Sequence, residues 1–186
     1  MNHLTRLLTV TLFAGLIVGC DLSEVAFHLG SATMSPGEEG AIPLVYREGD
    51  LVEGLGGICG FEIHWRYDVS SLRFPDCEGP SASHSCGGPR LSGGHPGLLC
   101  VCNASAPGHM EVAAIVADGV TPLPAGPVVI GDFRVSAEGD APPDIYPLEF
   151  ERPDDEHPTI SYVLCEGAQL GAEGMRFWDG AVILLE

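Results

Sequence analysis

The chain has 186 residues, 45% of them hydrophobic, which is enough for one sizeable core and short for two. Twenty-six acidic residues stand against eight arginines, and lysine is absent. A chain this acidic is repelled by nucleic acid and by anionic headgroups, so electrostatic DNA binding and polybasic membrane contact are excluded.

The first twenty residues are expected to be a targeting segment. Arg6 precedes a largely apolar run over 7–18 that closes at Gly19-Cys20. About twelve such residues are too few to span a bilayer as a stable helix, so the pattern predicts a secretory signal. The ending Ile17-Val18-Gly19-Cys20 resembles the lipobox of bacterial lipoproteins. That resemblance implies a signal peptide over 1–19, cleavage before Cys20, and diacylglyceryl and acyl chains that fix Cys20 to a membrane of the bacterial envelope, facing outside the cytoplasm. A plain signal peptide cleaved nearby, with Cys20 an ordinary thiol, is the alternative. After residue 20, 26 acids face seven arginines, a net charge of −19, so lipid alone would hold the chain at a membrane. Residues 20–24 leave only a short tether before a folded domain over 25–186.

Beyond Cys20, six cysteines remain: Cys59, Cys77, Cys86, Cys100, Cys102 and Cys165. An even count in an oxidising compartment predicts three disulfides, whose connectivity the spacing leaves open. Four of the six lie between 77 and 102, in a Gly-, Pro- and Ser-rich segment that a disulfide would staple. Cys59 and Cys165 both border strand-like runs and make a reasonable inter-strand pair.

In chain order, strands are expected over 25–29 and 41–46, the latter placed at an edge or bulge by Pro43, with a turn at 35–38 between them. The most regular stretch follows. From Phe61 to Asp68 apolar and polar residues alternate, putting Phe61, Ile63, Trp65 and Tyr67 on one face and Glu62, His64, Arg66 and Asp68 on the other. Burying the four large side chains stabilises by ~1.5 to ~3 kcal/mol each, while ordering costs ~1 to ~2 kcal/mol per residue, so this strand needs a second sheet over its aromatic face. The opposite face has little reason to be covered and is the first candidate binding surface. A short element at 71–74 and an irregular segment at 77–97 lead to strands over 98–103 and 110–117. In the strand over 127–136, Val129, Phe133 and Val135 share one face, and Ile130, Asp132 and Arg134 the other. Strands over 146–150, 159–164 and 175–185 complete about nine or ten. No window has a helical period, and the spacing of strands and turns predicts an antiparallel β-sandwich.

The order Met34-Ser35-Pro36-Gly37-Glu38, Ile42-Pro43-Leu44-Val45, Gly60 to Asp68 and Leu72 resembles the first half of a cohesin domain. Ala117-Asp118-Gly119, then Gly131 to Val135, Pro147 to Phe150, and Phe177 to Val182 resemble the second half. The resemblance implies a nine-stranded sandwich of jelly-roll topology, related in fold to some carbohydrate-binding modules. It also implies a protein partner of the dockerin type, a calcium-loaded helical module, seated on the sheet that contains the strand over 61–67. Carried over, Glu62, His64 and Arg66 form the partner-binding surface.

Other chemistries are less well supported. His84, Cys86, His95, Cys100, Cys102 and His109 gather nitrogen and sulfur within 26 residues, but without paired zinc spacings and in an oxidising compartment, so disulfides are expected and no metal or other cofactor. Glu151 with Asp154, Asp155 and Glu156 lacks the turn pattern of a calcium loop and is expected to be a solvated acidic segment. No nucleophile elbow, zincin motif or phosphate loop is present, so the expectation is a binding protein and not an enzyme. Trp65 falls on the core face. Trp178 is the candidate sugar-stacking residue if the domain binds polysaccharide; a structural envelope lipoprotein without a dedicated ligand is the remaining alternative.

Overall fold

A computed structural model of the chain describes residues 25–48, 57–78, 84–85, 97–104, 106–124, 126–152, 161–165, 169–171 and 175–186. The signal segment, Cys20 and the tether lie outside the described residues, as do Cys86, His95 and 154–156. In chain order the first strands are β1 (Val25–Leu29), β2 (Ser31–Met34), β3 (Glu39–Arg47), β4 (Ile58–Arg66), β5 (Leu72–Arg73), β6 (His84–Ser85) and β7 (Leu98–Asn103). They are followed by β8 (His109–Val116), β9 (Val128–Ala137), β10 (Ile145–Phe150), β11 (Ser161–Leu164), β12 (Gln169–Gly171), β13 (Met175–Trp178) and β14 (Gly180–Leu184).

These strands form a two-sheet sandwich, with no helix among the described residues. The five-stranded sheet has the order β13-β1-β3-β9-β5. The nine-stranded sheet follows β2-β14-β10-β4-β8-β7-β6, with β11 also pairing β4 and β12 pairing β11. The expected sandwich is therefore present. It contains more and shorter strand segments than nine, because β2, β6 and β12 are too brief for alternation to reveal.

The core forms where the aromatic face of β4 meets the other sheet. Trp65, Ile63 and Phe61 are buried, and the Trp65 ring meets Phe133 of β9 edge-on at 5.2 Å and 79°. Phe27 of β1 packs against Phe61 at 4.8 Å. Offset and edge-on contacts of this kind add about 0.5–1.5 kcal/mol beyond the area they bury. Trp65 Nε1 has no acceptor among the described residues, a penalty of about 1–3 kcal/mol set against the burial of the whole ring.

Two disulfides tie the frame together. Cys59 at the start of β4 is bonded to Cys165 just after β11, the inter-strand pairing expected from their positions. Cys77 is bonded to Cys102 of β7 and so closes the irregular segment. Cys100 is also disulfide-bonded, to a residue outside the described ones. With both sulfurs of the C-x-C pair oxidised, neither supplies a thiolate to a metal.

Three local expectations are sharpened or corrected. Pro43 lies in β3, an interior strand between β1 and β9, so of the two expected placements the edge does not hold and the bulge does: the register against β9 shifts between Leu44 and Val45. Its missing N–H is harmless because β1 ends at Leu29, and the Gly30 amide there donates to the Pro43 carbonyl at 2.8 Å. Next, β9 pairs Gly131 with Leu44 but Val129 with Val45, so Ile130 is an extra residue in a bulge. The bulge reverses the parity: Ile130 joins Phe133 and Val135 in the core, and Val129 is only half-buried. Finally, the run over 175–185 is two strands in different sheets, broken at Asp179. A side chain at Gly180 would meet the Leu29 carbonyl oxygen at 2.9 Å, so only glycine fits where the chain crosses.

β1 and β2 cross between the sheets in the same way. Consequently β1 pairs β13 in parallel and β2 pairs β14 in parallel, the two parallel pairings among the described residues.

Candidate functional site

The outer face of the larger sheet is built from the alternate residues of β4, β8 and β7. On β4 these are Gly60, Glu62, His64 and Arg66; the register sets them opposite Ile115, Ala113, Glu111 and His109 of β8. β7 continues the rows, with Leu99 opposite Ile115, Val101 opposite Ala113 and Asn103 opposite Glu111. One end of the face is therefore apolar and the other carries charge.

At the apolar end, Leu99 is 58% exposed and Ile115 52%, with Val101 beside them. β-Branched and leucine side chains suit a strand, and here the pleat turns these three away from a core already filled by Val112, Ala114, Val116 and Cys102. At the charged end, β10 and β11 share one edge of β4. β10 pairs Glu149 with Arg66, and β11 pairs residues from Ser161 with Glu62. Glu151 follows the last residue of β10 and its amide donates to the His64 carbonyl at 2.9 Å, so its side chain is delivered beside His64.

The result is a compact network. Arg66 Nε donates to Glu151 Oε1 at 2.7 Å, and His109 Nδ1 lies 3.1 Å from the same oxygen. His64 Nδ1 is 3.8 Å from Glu151 Oε2, while its Nε2 is 3.1 Å from Glu62 Oε1. His109 Nε2 is 3.4 Å from Glu111 Oε1, and Asn103 Nδ2 donates to Glu111 Oε2 at 3.0 Å. The two imidazoles stand edge-on with centroids 5.2 Å apart. Burial pushes the Glu151 carboxyl up, but the hydrogen bond from Arg66 and the interactions with His109 outweigh it and hold the group below its ordinary value.

Glu62, His64 and Arg66 thus lie on one outer face, as the alternation implies. The expectation that this face is uncovered needs correction at His64, which is 5% exposed because His109 and Glu151 close over it. Glu62 is half-buried and Arg66 is exposed. Sequence reasoning did not group His109, Glu111 and Glu151 with His64; the alternation of HMEVAAIV on β8 was the available signal, since it puts His109, Glu111 and Ile115 on one side. Trp178 ends β13 in the other sheet, opposite His28, and is 38% exposed. It is not brought together with Glu62, His64 or Arg66.

Comparison with protein-family models and with curated proteins finds no match. Solved structures do match, over nearly all of the described domain. The seventh ScaB type I cohesin of Pseudobacteroides cellulosolvens is 13% identical with a TM-score of 0.60, covering 87% of this chain and 92% of its own. The structure of a type I cohesin–dockerin complex from Clostridium thermocellum matches at 13% identity and a TM-score of 0.61, over 87% of this chain and 99% of that one. A non-cellulosomal cohesin from the archaeon Archaeoglobus fulgidus matches at 11% and 0.56, over 88% and 92%. Identities this low establish architecture alone: the fold of this chain is that of cohesin domains.

Proposed function

We propose that the chain is a lipid-anchored envelope protein whose sandwich binds a protein partner, of the dockerin type, through the outer face of β4, β8 and β7. The observation that carries this reading is the exposed apolar row Leu99, Val101 and Ile115 running directly into the charged row Glu62, Arg66, His109 and Glu111 on one sheet face. An exposed apolar patch adjoining polar and charged groups is how protein interfaces combine affinity with orientation. The cohesin fold supports the same choice, since a neighbouring structure is a cohesin–dockerin complex. The lipobox-like ending at Cys20 supports the anchor.

The test is capture from the native envelope by the oxidised protein. Wild type is expected to retain a protein that Leu99→Asp/Ile115→Asp loses and that Glu62→Ala/Arg66→Ala binds more weakly. Equal capture by all three would remove this face as the site. A second reading, polysaccharide binding, is favoured by the exposed indole of Trp178 on the other sheet; it requires that Trp178→Ala abolish retention on envelope polysaccharide while the Leu99→Asp/Ile115→Asp variant retains it.

A further inference from the structure

We propose that His64, His109 and Glu151 form a binding site for a divalent transition-metal ion of the zinc type. The inference does not rest on the docking reading. The three side chains come from β4, the start of β8 and the residue after β10, and their potential ligand atoms all lie within 4.8 Å of one another. Two nitrogens and one carboxylate oxygen are a donor set that suits zinc; calcium and magnesium require oxygen.

The hydrogen bonding points to an ion. All four ring nitrogens of the two imidazoles face carboxylate oxygens: each Nδ1 faces Glu151, and the two Nε2 atoms face Glu62 and Glu111. Two neutral imidazoles carry only two N–H groups between them, so two of these four contacts would set a lone pair against a lone pair. If each Nε2–H donates to its strand neighbour's carboxylate, both Nδ1 lone pairs converge on Glu151, and a cation between them satisfies all three groups. A histidine ligand whose other nitrogen donates to a carboxylate is the usual outer-shell arrangement at metals, where it fixes the tautomer and raises basicity. Asn103 in turn holds Glu111.

Charge and reach agree. Three carboxylates, Glu62, Glu111 and Glu151, surround one guanidinium, Arg66, which leaves a local charge of −2 with neutral imidazoles. With metal–nitrogen bonds of about 2.0–2.1 Å, ligand atoms around a tetrahedral ion lie roughly 3.3 Å apart. Binding therefore requires inward rotation of His109 and Glu151, both nearer the surface than His64. Three protein ligands leave the fourth position for water or for a donor from another molecule.

The experiment is titration of chelator-treated, disulfide-intact protein with zinc chloride by calorimetry, and with cobalt(II) by its visible absorption. One equivalent is expected to bind, with calcium and magnesium giving no heat. His109→Ala and Glu151→Gln should weaken zinc at least about 100-fold, and Glu62→Gln or Glu111→Gln about 10- to 100-fold. Six of the chain's seven histidines lie after residue 20, so imidazole NMR of the wild type provides a readout independent of any variant's folding: zinc should shift the ring nitrogens of His64 and His109 and leave the remaining rings unchanged. Absence of one-to-one binding, full affinity in His109→Ala, or unshifted His64 and His109 signals would overturn the proposal. Zinc-insensitive rings that are both doubly protonated at neutral pH would also overturn it, because protons would then fill the contacts assigned to the ion.

Discussion

The bulge in β9 makes a sharp prediction about two adjacent side chains. Strict alternation puts Val129 in the core with Phe133 and leaves Ile130 outside, whereas the pairing with β3 places Ile130 in the core at 4% exposure. Ile130→Ala should therefore cost about 2–5 kcal/mol, the sum of lost transfer energy and the cavity left behind. Val129→Ala removes two carbons worth about 0.8 kcal/mol each when fully buried; for a side chain that keeps part of its surface in water the loss is roughly 1–1.5 kcal/mol. Both variants become alanine at neighbouring strand positions, so the loss of β-propensity largely cancels in the comparison. For a domain of this size about 1 kcal/mol shifts Tm by ~2–4 °C, which puts a ~3 kcal/mol loss at Ile130 at ~6–12 °C and Val129 at ~2–6 °C. Urea unfolding with disulfides intact, checked for an unchanged slope, measures both. A Val129→Ala cost equal to or above that of Ile130→Ala would show that the extra residue lies elsewhere.

Two further predictions concern the staples and a turn. Cys59 and Cys165 are 106 residues apart, Cys77 and Cys102 only 25, so on chain entropy the first bond stabilises by ~4–5 kcal/mol and the second by ~3.5 kcal/mol. Paired Cys→Ala variants compared by urea midpoint should rank in that order, and the reverse ranking would contradict the entropic account. At Asp68 the Ser70 hydroxyl and amide and the Ser71 hydroxyl donate to the carboxylate and hold its pKa below the ordinary value. The stability this group contributes is complete above the unfolded pKa of ~3.9 and is lost as pH falls through the lower folded value. The stability gap between wild type and Asp68→Asn should therefore shrink between pH 6 and pH 2, and a gap constant over that range would refute the turn's role.

What was legible in the sequence was whatever is local and periodic. The alternation from Phe61 to Tyr67 revealed both the buried aromatic face and the polar one, because a strand with one covered face must repeat every two residues. The bulge at Ile130 was hidden because it is a single-residue break set by the partner strand, and the sheet change at Asp179 because its one local mark, Gly180, does not distinguish a crossing from a turn. The His64 cluster was hidden more deeply. Its members are far apart in the chain, and only the registers of β8 and β10 against β4 bring His109 and Glu151 to one imidazole. Cys59 and Cys165 were an intermediate case, marked by flanking strands yet paired only through β11.

The crossing of both chain ends between the sheets has a kinetic consequence. β1 can pair with β3 early, but its other edge waits for β13, and β2 waits for β14; Val25 and Met175, which pair, are 150 positions apart. Local hairpins such as β7–β8 can close early, but the two parallel seams that lock one sheet to the other carry the largest loop-closure entropy in the molecule. The outer edge of β1 and the whole of β2 therefore stay open until β13 and β14 are available, and these two seams are expected to close after the local pairs.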